Sequence, residues 1–203
     1  MTVRDMLSEA LSVAVAGLAK ARGFRKKGFT FRRQHGQTTQ VINFQLSHGN
    51  SRDEGDFYVN IGLSFDAVTA LGGTSSGEVV IAGEAVHYGV RLEELAPETP
   101  DEWAVTPQTD AHSLGAQLGA ALAPVIDRLE KVESPASMLR EFPLDDGFRR
   151  VLRAKLEYVD GHFDAALADL RLVAAEFADR QGMSVENLIE RHRLPALRSL
   201  AAK

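Results

Sequence analysis

The side chains with the most chemical capacity in this chain alternate with bulky apolar ones. Arg32, Asn43, Gln45, Ser47, Tyr58, Asn60, His87 and Arg91 each sit one step out of phase with a hydrophobic residue. Arg32 is offset from Phe29 and Phe31. Asn43, Gln45 and Ser47 are offset from Ile42, Phe44 and Leu46, and Tyr58 and Asn60 from Phe57, Val59, Ile61 and Leu63. His87 and Arg91 are offset from Val86, Tyr88, Val90 and Leu92. Successive side chains of a β-strand point to opposite faces. If the apolar sets share one core, the eight polar residues gather on the other face of one sheet. Guanidinium, amide and hydroxyl groups collected there can hold an anion or a peptide through charge-assisted hydrogen bonds. A solvated outer face, or a face covered by the C-terminal helices, alternates in the same way, and a one-residue register slip would scatter the set. Amides such as Asn43, Gln45 and Asn60 are poor choices for a strand that merely meets water. The eight residues are therefore the candidate ligand-binding face, with Arg32, Gln45, Asn60 and Arg91 at its centre.

Motifs for covalent or metal chemistry are missing. There is no GxSxG, no Walker A sequence, no GxGxxG after a strand and no HExxH. The glycines of the GGTSSG stretch are followed by no Lys-Ser/Thr. The six histidines, His35, His48, His87, His112, His162 and His192, have no partners at metal-ligand spacing. His162 and Asp164 share a helix start, where an acid is expected for dipole reasons. With no cysteine there is no disulfide, thiol nucleophile or thiolate site. No cofactor and no metal are predicted. The enzymatic alternative is an enzyme or sensor for an anionic small molecule on the polar face, with His87 or His48 as general acid and base.

Charge is unevenly distributed. Residues 10–52 hold eight lysines and arginines and no acid, so a segment of +8 within a chain of net charge −5 leaves −13 elsewhere. Arg25, Lys26 and Lys27 lie among Phe24, Phe29 and Phe31, a pattern that also suits single-stranded nucleic acid. The pI of about 5.7 and the core-like spacing of the phenylalanines favour a solvated turn instead. Nucleic-acid binding through residues 25–33 is thus the second alternative. No apolar run reaches the ~18 residues of a membrane span. The first 20 residues carry acids at Asp5 and Glu9 and are amphipathic, unlike a signal peptide. A cytoplasmic protein is expected, with no membrane partner and an open oligomeric state.

The elements that must position these residues follow from period and punctuation. Residues 2–22 read as a helix with a capping box at Thr2 and Asp5, an apolar stripe through Leu7, Leu11 and Leu18, and Gly23 as its stop. Extended segments follow at 24–35, 39–47 and 57–63, the first two joined by a turn at Gly36-Gln37. Residues 64–77 read as irregular and end in a mobile glycine-rich loop. Weaker strands fall at 78–82 and 85–92, and 93–108 reads as a surface loop pinned by Trp103. From Thr109 the period is helical: a long helix with a kink at Pro124, a short one opened by Ser134-Pro135, one capped by Asp145 and carrying Phe148, Leu152 and Leu156, and further helices to the end. Residues 151–177 read as an antiparallel helix pair without a repeat. The fold class is α+β: a mostly antiparallel four- to five-stranded sheet packed with an N-terminal and a central helix, plus a C-terminal helical extension. Residues 1–142 form the core domain and 143–203 an extension packed on it.

The succession GFRKKGFTFRR, VINFQLS with Asn50-Ser51, FYVNIG, and VRLEELAPETPDEW resembles the bacterial family known as domain of unknown function 4304, over about residues 5–140. The resemblance implies no established activity. Some members occur near toxin–immunity or defence genes, so it implies a binding role. The leading functional expectation is a non-enzymatic binding protein acting on a protein or anionic small-molecule partner through the polar sheet face. Asn60→Ala and Arg91→Gln are expected to abolish partner capture without lowering the melting temperature.

Overall fold

A computed structural model of the chain describes residues 2–72, 79–147, 149–180 and 182–202. It is α+β, as the alternation and the later helical period require. The N-terminal helix starts as α1 (Val3–Ala10), where Thr2 Oγ1 accepts from the Asp5 N–H at 3.1 Å and Asp5 Oδ2 accepts from the Thr2 N–H at 3.0 Å. It widens into a π turn at Leu11–Val15 and resumes as α2 (Ala16–Ala21).

The segment read as one extended stretch at 24–35 is two strands. β1 (Arg25–Lys27) turns through Gly28-Phe29 into β2 (Thr30–His35), with Lys27 opposite Thr30. Gly28 has a φ of +58°, which a tight two-residue turn demands and an L side chain resists. β3 (Thr38–Leu46) and β4 (Gly55–Phe65) complete an antiparallel meander.

After β4 the chain forms α3 (Asp66–Leu71), where sequence reading expected irregular structure. The glycine-rich loop read at 72–77 lies, from residue 73 on, outside the described residues. The hairpin β5 (Val79–Ile81) and β6 (Glu84–Val86) precedes β7 (Tyr88–Arg91), which pairs with β4. The expected surface loop at 93–108 instead holds α4 (Leu92–Leu95) and β8 (Trp103–Val105), which pairs with the start of β4. Trp103 stacks on Phe57 with centroids 6.1 Å apart, so its ring belongs to the core. Among the described residues the main sheet has six strands, in the order β1-β2-β3-β4-β7 with β8 also on β4.

The long helix α5 (Ala111–Glu130) is continuous through Pro124. α6 (Pro135–Glu141) begins at the Ser134 cap, as its Ser-Pro signal predicts. α7 (Arg149–Val159) and α8 (Phe163–Glu176) form the antiparallel pair, followed by α9 (Val185–Arg191) and α10 (Arg198–Ala201). Phe148, read as part of the α7 stripe, lies outside the described residues. Asp145 pairs with Arg153. None of the described helices is long and apolar enough to cross a membrane.

One core joins the apolar sheet face to the N-terminal helix, α5 and α6. Phe31, Ile42, Phe44, Phe57, Val59, Ile61 and Leu63 meet Leu7, Leu11, Leu118, Leu122 and Met138 in it. A second cluster unites α7 through α10 around Val151, Leu167, Leu170, Leu188 and Leu197, with Leu71 of α3 against it. α7 serves both, since Leu152 and Leu156 face the first cluster and Val151 and Ala154 the second.

The last turn of α5 is tied to the β2–β3 hairpin. A helix C-terminus leaves four carbonyls without intrahelical partners. Here Gln40 Nε2 donates to the carbonyls of Leu129 at 2.8 Å and Val132 at 3.0 Å, and His35 Nε2 contacts the Glu130 carbonyl at 2.8 Å. These bonds fix the orientation of the strands that carry the polar residues.

Candidate functional site

The register, which sequence reading left open, aligns a single row across the sheet. Lys27 is opposite Thr30, Thr30 opposite Asn43, Asn43 opposite Asn60, and Asn60 opposite Arg91. At ~4.8 Å between strands, the row spans roughly 19 Å. It has a cation at each end and hydroxyl and amide groups between. Gln45 and Tyr58 form the neighbouring cross-strand pair on the same face.

The amides bond to one another. Asn43 Nδ2 donates to Thr30 Oγ1 at 3.0 Å. Asn60 Nδ2 donates to Gln45 Oε1 at 3.1 Å and to Asn43 Oδ1 at 3.4 Å. Asn43 and Asn60 are buried, at 7% and 8% exposure, while Gln45 is exposed. The Asn60 carbonyl oxygen and the Gln45 amide nitrogen have no hydrogen-bond partner among the described residues. A buried ladder makes Asn60 structural as well. Asn60→Ala strands the buried Asn43 amide oxygen, so a loss of about 1–3 kcal/mol of stability is expected, visible as a lowered urea midpoint. The unchanged melting temperature expected from sequence therefore does not fit the position of this residue.

At the far end, the Arg91 guanidinium lies 3.8 Å from the Tyr58 ring centroid, a cation–π contact. The Tyr58 hydroxyl donates to Glu102, and this bond is the main cause that raises the phenol above its ordinary pKa. Ser47 lies beside the same hydroxyl, and its backbone N–H donates to Asp56 at 2.9 Å.

Two members of the predicted set stand apart from the row. Arg32 is exposed, opposite Arg25 on one side and Val41 on the other, one pair along from Lys27 and Thr30. His87 falls at the break between β6 and β7, and its backbone N–H donates to Leu63. Its Nδ1 accepts the Phe65 N–H at 2.9 Å and its ring stacks on Phe65. That nitrogen is engaged with the Phe65 backbone, roughly 16 Å along β4 from Asn60 at ~3.3 Å per residue. His48 is exposed just beyond the end of β3. Neither imidazole belongs to the row.

The apolar faces of the sheet meet the helices of the main core. Part of the polar face is covered by the β5–β6 hairpin. Ile81 and Val86 pack on Val41, and a Cβ at Gly62 would meet their methyl groups at 3.0 Å. The missing side chain at Gly62 is what lets the hairpin lie flat there.

Sequence reading missed Lys27 and Thr30 as members of the row. The signal was present in Lys27-Gly28-Phe29-Thr30, a glycine-led two-residue turn hidden inside an apparently continuous strand. It also missed Arg33 and Gln40, which lie on the inner face and are buried, at 6% and 0% exposure. Arg33 Nε donates to Gln40 Oε1 at 2.8 Å.

Residues 15–128 match the family described as Domain of unknown function (DUF4304). The match covers more than half of the chain, and the chain belongs to that family. No curated protein and no solved structure matches it.

Proposed function

We propose that this member of the DUF4304 family is a cytoplasmic, non-enzymatic binding protein that takes an acidic, extended segment of a protein partner across its polar sheet face. The observation that carries the reading is the row Lys27–Thr30–Asn43–Asn60–Arg91, a cation at each end and amides between. An amide offers a donor and an acceptor, as a peptide group does. The free Asn60 oxygen and Gln45 nitrogen match a backbone N–H and C=O. An extended chain covers ~3.3 Å per residue, so about six residues bridge the row. Acidic side chains near both ends of such a segment would meet Lys27 and Arg91 in charge-assisted hydrogen bonds.

The double variant Gln45→Ala/Arg91→Gln tests it, because Gln45 is exposed and Arg91 half-buried. Losing the Arg91–Tyr58 contact costs about 1 kcal/mol or less, so the fold should persist. Immobilised wild type is expected to retain from lysate a partner that the variant loses, and acidic peptides cut from that partner should compete for it. Identical capture by both proteins would sink the reading.

A further inference from the structure

A second concentration of cations lies at the outer edge of the sheet. Strand β1 stops at Arg25, opposite Arg32, and the outer edge of β2 beyond that point has no neighbouring strand among the described residues. The notch is a groove of about 610 Å³, and five of its seven lining residues are Arg25, Lys26, Lys27, Arg32 and Arg33, with no acid among them. Charged residues on an edge strand also guard it against pairing with another chain. That accounts for the exposed Arg25, Lys26 and Lys27, but not for Arg33, which is buried at 6% exposure.

Arg33 is held on several sides. Its Nε donates to Gln40, its Nη1 donates to the Arg22 carbonyl at 2.5 Å, and its guanidinium lies 4.4 Å from the Phe24 ring centroid. Glu130 Oε1 is 3.6 Å from Nη1, but that carboxylate also pairs with Arg22. Nη2 is closed off from solvent and has no hydrogen-bond partner among the described residues. A buried guanidinium nitrogen without an acceptor is costly, and one oxygen of an oxyanion supplies the acceptor that Nη2 lacks.

We propose that this groove binds a small molecule carrying two or more phosphate groups, seated between Arg33 and the exposed Arg25 and Lys26. The volume falls within the ~300–1,000 Å³ of small-ligand pockets. A nucleic-acid strand would need exposed rings for stacking. Phe24 and Phe31 are buried in the core, and Phe29 is half-buried with the Arg4 guanidinium 5.3 Å from its ring. The groove shares Lys27 with the row of the peptide-binding reading, but Arg25, Lys26 and Arg33, which carry this proposal, lie outside that row.

Titration calorimetry of the full chain at low salt, with inorganic pyrophosphate as probe, tests the site. Saturable binding is expected, weakened at least about tenfold in Arg25→Gln/Lys26→Gln through the loss of two charge-assisted contacts. It should be unchanged in Gln45→Ala/Arg91→Gln, which separates this site from the row. Absence of saturable heat, or equal affinity in Arg25→Gln/Lys26→Gln, would overturn the assignment. So would a single-stranded oligonucleotide that binds the groove and that pyrophosphate fails to displace.

Discussion

Gly115→Ala is expected to lower stability by about 2–3 kcal/mol, whereas Gly119→Ala, one helical turn further along α5, should leave it unchanged or raise it by up to ~1 kcal/mol. Both positions are interior to α5, where alanine is favoured over glycine by about 1 kcal/mol. The difference comes from what each Cβ would meet. At Gly115 it would stand 2.6 Å from the Ala10 carbonyl oxygen and 3.3 Å from the Ala14 Cβ. At Gly119 the nearest atom is the Ala14 Cβ at 3.7 Å, an ordinary contact. The obstruction at Gly115 is backbone and cannot rotate away. It sits where the N-terminal helix passes into its π turn, in which the Ala16 N–H donates to the Leu11 carbonyl five residues back. Relieving it means separating two helices that bury Leu7, Leu11, Leu118 and Leu122 together. For a chain of this size, 1 kcal/mol corresponds to about 2–4 °C in Tm. Thermal melts should therefore separate the two variants by roughly 4 °C or more, and equal melting points would show that the helices do not cross this closely.

Gly115 also shows why the fold was only partly legible. The α5 stripe, the caps at Thr2 and Ser134 and the strand alternation are local signals, and each predicts an element that is present. Closeness between Gly115 and Ala10 depends on a crossing about 100 residues apart in sequence, and no local pattern encodes it. The same holds for the polar face. Alternation placed Asn43, Gln45, Tyr58, Asn60 and Arg91 on one face, because period 2 is a property of the backbone. It did not say which residues stand opposite one another, since register is set by turn lengths. The turn at Gly28 brought Lys27 into the row. The break at His87 put that ring against Phe65, although its parity matches that of Arg91. Trp103 was misplaced for a related reason. A three-residue strand such as β8 is too short to show a period, and only its pairing with Phe57 reveals it.

Glu157→Gln is expected to make stability rise with pH between about 4.5 and 6.5, a window in which Glu157 and His192 together leave the wild type nearly level. Glu157 on α7 is desolvated and faces Asp169, whose charge is already engaged by Arg153 through Nε at 2.6 Å. Its Oε2 is buried without a hydrogen-bond partner among the described residues. Burial first, and Asp169 second, push its carboxyl up to about 7 from an ordinary 4.5, with Arg153 opposing. Folding then takes up a proton between those values, so stability falls as pH rises through that range. His192, at the end of α9, is 1% exposed, and its Nδ1 has no partner among the described residues. Burial, and then Lys155 and Arg191, hold it down at about 4 instead of 6.5. Folding there releases a proton, so stability rises with pH between 4 and 6.5. From 4.5 to 6.5 the slopes are opposite and each reaches ~1.4 kcal/mol per pH unit, so they cancel. Glu157→Gln removes the falling slope and exposes the rising one. His192→Gln should do the reverse, with stability falling from about pH 4.5 to 7. The double variant should be level again across the shared window. Urea midpoints at half-unit pH steps read all three profiles. A wild-type profile that rises as steeply as that of Glu157→Gln would mean that Glu157 is ionised in the folded protein, with Arg153 offsetting both its charge and that of Asp169.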